Sequence, residues 1–98
     1  AIDFADYTIT GKTLTVSFVG SGSATSGQTL TVRLIDVTNS NATAATLTIS
    51  SATPAAATPA TVTTPGTARL YRVEIAVSGS TTAHVGTLLN ASLRLTWS

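Results

Sequence analysis

The chain has 98 residues, enough for one domain around a single core. Only 9% of them are charged, against roughly 25% in an ordinary soluble domain, and the net charge is +1. Lys12, Arg33, Arg69, Arg72 and Arg94 are scattered, which excludes a basic tract for nucleic acid. The absence of cysteine excludes a disulfide framework, a thiolate zinc site and a thiol nucleophile.

The polar surface is made of hydroxyls. There are 21 Thr and 11 Ser beside 15 Ala, so hydration depends little on pH or salt. Such a surface suits an exposed environment better than a crowded cytoplasm, where net charge keeps proteins apart. A hydrophobic content of 43% excludes disorder. There is no methionine, and Ala1 is the small residue that signal-peptidase cleavage leaves, so a secreted, cell-surface protein is expected. No apolar run approaches the roughly 18–20 residues of a membrane span.

The first element expected is a strand over Ile2–Ile9. Ile2 and Phe4 share one face and Tyr7 and Ile9 the other, so the segment is apolar on both sides or bulged. After a turn at Thr10-Gly11-Lys12, Thr13–Val19 alternates with Leu14, Val16 and Phe18 inward. Gly20–Gly27, rich in Gly and Ser, reads as a connection. Gln28–Val37 points Leu30, Val32 and Leu34 one way, and Ile35 and Val37 then break parity, which predicts a bulge near Leu34–Asp36.

The polar run Thr38–Thr43 reads as a turn. Ala44–Ser50 follows as a strand with Leu47 and Ile49 inward. Ser51–Pro65 contains all three prolines and reads as a loop or edge strand, with a short strand at 60–64. Ala68–Val77 alternates Tyr71, Val73, Ile75 and Val77 with Arg72, Glu74 and Ala76. Ser78–Ser80 is a turn. A weaker strand over Ala83–Leu89, interrupted by Gly86, precedes a last one over Asn90–Trp97, with Leu93, Leu95 and Trp97 inward. The expectation is all-β: one Ig-like or jelly-roll sandwich of seven to eight short antiparallel strands, divided into residues 1–10, a separable N-terminal strand, and residues 11–98, the sandwich.

The chain offers little chemistry. His84 is the only histidine, and no nucleophile motif accompanies it. The carboxylates are Asp3, Asp6, Asp36 and Glu74, with no calcium-loop spacing and no acid pair in an aromatic cleft. No enzyme, cofactor or metal site is expected. Lys12, the only lysine, is a candidate for an isopeptide crosslink or a plain solvated turn residue. Asn41-Ala42-Thr43 and Asn90-Ala91-Ser92 are glycosylation sequons, and Asn41, in a predicted loop, is the better placed.

The start Ala1-Ile2-Asp3-Phe4, the Thr-rich strands and the closing Leu93-Arg94-Leu95-Thr96-Trp97-Ser98 give the chain its layout. In composition and layout it resembles the β-sandwich subunits of surface filaments, namely archaeal threads and bundling pili and TasA/camelysin-type fibre proteins. The resemblance implies an extracellular homopolymer. In it the first strand, through Ile2, Phe4, Tyr7 and Ile9, would complete the next subunit by donor-strand complementation. Leu14–Phe18 and Leu93–Trp97 would be walls of the acceptor groove, and cell-surface or biofilm-matrix contacts would follow. The alternative is a monomeric or small-oligomer sandwich that decorates a surface and binds through its loops.

Overall fold

The computed structural model describes residues 1–79 and 85–98. The chain forms seven antiparallel strands in two sheets: β1 (Leu14–Ala24), β2 (Gln28–Asp36), β3 (Ala42–Ile49), β4 (Ala55–Ala56), β5 (Ala60–Val62), β6 (Tyr71–Gly79) and β7 (Gly86–Trp97). In the first sheet β1 is central. β7 runs along one of its edges, and β5 and then β4 take the other, opposite Val16–Phe18 and Ser21–Gly22. The second sheet has the order β3-β2-β6.

Alternation builds the core. Val16 and Phe18 of β1 face Leu30, Val32 and Leu34 of β2 and Leu47 and Ile49 of β3, and all are buried. The parity break in β2 is a register shift between Leu34 and Ile35 in its pairing with β3, as the sequence predicts. The prolines confine residues 51–65 to short edge pieces, β4 and β5.

β3 starts at Ala42 rather than Ala44, β6 runs over Tyr71–Gly79 rather than Ala68–Val77, and three larger changes accompany these shifts. β1 does not stop at Val19 but continues through the Gly/Ser stretch to Ala24. The glycines permit a close approach of β7: a Cβ at Gly22 would meet the Thr87 carbonyl, and one at Gly20 would lie 2.8 Å from the Asn90 carbonyl. The last two expected strands are one, β7, with a register shift opposite Ser21/Gly22. The expectations for Ala83 and His84 lie outside the described residues.

The third change concerns the N-terminal segment. Residues 2–9 do not form a strand. Ile2 makes an isolated antiparallel bridge with Arg69, and Phe4–Tyr7 is a 3-10 turn. Asp3 caps the turn by accepting from the Ala5 amide at 3.0 Å, and the Thr8 hydroxyl donates to the Ala5 carbonyl at 3.0 Å. The physical reason is parity. A continuous strand would put Asp6 on the same face as Ile2 and Phe4. The turn instead sends Phe4 alone into the core, where it is 2% exposed and lies against Tyr71, while Asp6 stays in solvent.

Candidate functional site: the open side of the sandwich

The two sides of the sandwich are not equally covered. β2 and β1 are flanked on both edges, whereas among the described residues β6 pairs only with β2 and β7 only with β1. Val73 and Ile75 lie directly opposite Leu34 and Val32, so they share the inner face of the sheet. Leu34 and Val32 are 3% and 0% exposed, yet Val73 is 45% and Ile75 56% exposed. Alternation thus turns these side chains inward, but no described residue closes over them.

The same holds across the gap. Ala91, Leu93 and Leu95 of β7 pair with Gly20, Phe18 and Val16 and share their inner face, but are only half-buried. Leu88, opposite Gly22 beyond the register shift, is likewise only half-buried. An apolar opening therefore runs between β6 and β7. One end is pinched where a Cβ on Gly86 would lie 2.5 Å from Val77 Cγ2. At the other end the N-terminal segment bridges the two sheets. The Ile2 and Arg69 backbones exchange two hydrogen bonds of 2.7 Å just before β6, and Trp97 Nε1 donates to the Tyr7 carbonyl at 2.6 Å at the end of β7.

Among the described residues, the backbone groups along this opening have no strand partner either. The Val37 amide donates to the Leu70 carbonyl, so Leu70 faces β2. By alternation the amides and carbonyls of Tyr71, Val73, Ile75 and Val77 face the open edge. Thr13 and Ser98 exchange both their bonds, so the same alternation leaves Ala91, Leu93 and Leu95 facing outward from β7. The opening thus combines apolar side chains with unpaired strand edges, the two things an added strand needs.

The predicted site residues separate into two groups. Ile2 and Phe4 are held on their own domain, while Tyr7 and Ile9 are about half exposed. Of the expected groove walls, Leu93–Trp97 lies on the open side. Leu14–Phe18 does not: β1 has β7 on one edge and β5 on the other, so it has no edge to offer, and β6 is the second wall. Sequence periodicity identified the inward residues of β6 but could not say that no described residue covers them.

Asn41 is exposed in the β2–β3 turn, in the left-handed region at φ 59°, and its side-chain oxygen accepts from Arg72 at 3.1 Å. Asn90 does not begin a strand; it lies within β7, and its amide donates to Ser21 Oγ at 2.7 Å. A sequon in a paired strand is poorly shaped for modification, so Asn41 is the better site of the two. Lys12 is exposed in its turn, whereas an isopeptide bond needs a desolvated amine.

A second feature is a cavity of about 320 Å³ at the β2–β3 end, lined by Asp36, Asn39, Thr43, Thr63 and Arg69 among others. Its two charges pair, although Arg69 Nε is buried without a hydrogen-bond partner. Asp36 is buried, accepts from the Asn39 amide and pairs with Arg69 at 3.1 Å. Burial, and then the Asp36 carboxylate, push the Tyr71 phenol above its usual range, against a smaller opposing pull from Arg69. Among the described residues no three His, Asp or Glu side chains gather as a metal site, and no helix is long and apolar enough to cross a membrane. Comparison of the chain with protein-family models, with curated proteins and with solved structures returns no match.

Proposed function

We propose that the protein is the structural subunit of an extracellular surface filament, pilus- or thread-like, that polymerises by donor-strand complementation. The reading rests on one observation: inner-face residues of β6 and β7 lie open to solvent beside unpaired strand edges. A half-exposed Ile or Val still has about 1 kcal/mol of burial to gain, and a long free edge left uncovered is an aggregation hazard. A strand from a neighbouring copy removes both liabilities.

The donor in this reading is the N-terminal segment of the next copy. Extended, residues 2–9 span about 26 Å at roughly 3.3 Å per residue, and β6 spans about 30 Å on the same scale. Tyr7 and Ile9 then share a face and enter the opening; Asp6, on the face of Ile2 and Phe4, points away. In this reading β7, whose Ala91, Leu93 and Leu95 turn their backbone groups outward, takes the donor's backbone. Donor and acceptor surfaces differ, so the contact is heterologous and propagates. The hydroxyl-rich, weakly charged surface fits an exposed polymer.

Donation has a cost in this chain. Phe4 must leave its own core, and the segment must give up the Ile2–Arg69 and Trp97–Tyr7 bonds. The segment is therefore self-docked in the free subunit, and donation exchanges the burial of Phe4 at home for that of Tyr7 and Ile9 in the neighbour. Deleting it would remove Phe4 and destabilise the domain, so a point change is the better test. Ile9→Asp alters a residue that is half exposed in the subunit. The expected result is a normally folded protein that forms no filaments by negative-stain microscopy, whereas the unaltered protein does. Filaments of Ile9→Asp indistinguishable from those of the parent would refute the reading.

A further inference from the structure

The edge of β6 is left over by that reading and carries its own pattern. We propose that it is a two-fold pairing edge: a second copy adds its β6 antiparallel to this one, centred on Val73, joining two three-stranded sheets into one of six strands. The proposal goes beyond the filament reading, since it uses an edge that the donor does not.

Backbone alternation restricts the register. Only odd-numbered residues of β6 turn their amides and carbonyls to the open side, so odd must face odd and even must face even. The charges then choose among the registers that remain. Arg72 and Glu74 are the only charged residues of β6, and both are exposed on its outer face. Centring on Arg72 sets Arg against Arg, and centring on Glu74 sets Glu against Glu. Centring on Ile75 sets Glu74 against Ala76. Centring on Val73 alone places Arg72 opposite Glu74 of the second copy, twice by symmetry.

That register satisfies the rest of the strand as well. Val73 meets itself, and Tyr71 meets Ile75 of the second copy, each as a hydrogen-bonded pair. Arg72 and Glu74 fall in the intervening non-bonded pairs, where side chains stand closest. The inner-face side chains Val73 and Ile75 gain apolar neighbours across the new seam. Where the N-terminal segment is docked on its own subunit, the ladder stops at Tyr71, because Ile2 holds the edge beside Arg69. Within one copy Arg72 already bonds Glu74 at 3.2 Å and Asn41 at 3.1 Å. These contacts hold the guanidinium over the outer face, where it can reach the second copy.

A charge swap tests this directly. Sedimentation at low salt should show dimers of Ile9→Asp, the variant that does not form filaments. Arg72→Glu or Glu74→Arg alone places like charges opposite each other and should raise the dimer dissociation constant about tenfold. The double variant R72E/E74R restores opposite charges and should return the constant to near its starting value. Because the chain has no cysteine, Val73→Cys adds a single thiol on the two-fold axis. It should form an intermolecular disulfide under mild oxidation much faster than a Leu89→Cys control. Equal crosslinking rates, or single swaps that leave the dimer unchanged, would overturn the proposal. Dimers of a parent protein that itself forms no filaments would refute only the filament reading.

Discussion

The two halves of the sandwich are built from the same alternating pattern and end in different states. Around β1, β2 and β3, every inward residue finds a partner across the interior. Around β6 and β7, residues on the same inner faces stop at solvent: Ile75 sits beside fully buried Val32 and is itself half bare. The difference lies in what covers each strand and not in the strand itself. One half is complete as a monomer. The other has the side chains of a core without the layer that would close it.

The comparison makes the two halves respond differently to the same kind of substitution. Phe18→Ala, in the closed half, should cost about 3–5 kcal/mol in urea denaturation, because the cavity is walled on every side. Ile75→Ala, in the open half, should cost the isolated subunit less than about 1 kcal/mol, since much of that side chain is already in water. Added self-association should raise the second cost and leave the first unchanged. A large effect of Ile75→Ala in a dilute, monomeric sample would show that the open half is closed after all.

The smallest effect sits at the seam between the halves. Tyr71 has its phenol pKa raised, chiefly by burial. In the unfolded chain it ionises near pH 10. The folded state holds its proton to higher pH, so the stabilisation is complete below pH 10 and is lost as pH rises through the folded value. Tyr71→Phe should leave stability near neutral pH almost unchanged and flatten its decline above about pH 10, as read from thermal melts across that range.

Much of this architecture was legible in the sequence. Leu30-x-Val32-x-Leu34 followed by Ile35 announces both a strand and its bulge, because period-two alternation is a local property of the chain. The prolines announce the edge pieces for an equally local reason. What was not legible depends on residues far apart. Gly20 and Gly22 read as loop, but they are glycine because β7 passes too close for a side chain. Ile2–Ile9 read as a strand, but Phe4 is drawn into a site prepared by Tyr71 on the far side of the chain. The openness beside Val73 and Ile75 could not be read either, since a sequence shows which way a residue points and not what it meets.

The bond between Trp97 and Tyr7 makes the protein its own reporter. Trp97 is the sole tryptophan, it is 37% exposed, and its indole nitrogen is held by the carbonyl of the segment assigned here as the donor. Departure of that segment would release the indole N–H and rehydrate the ring. The emission of one chromophore would then follow the fate of the N-terminus in real time, without a label and without a substitution.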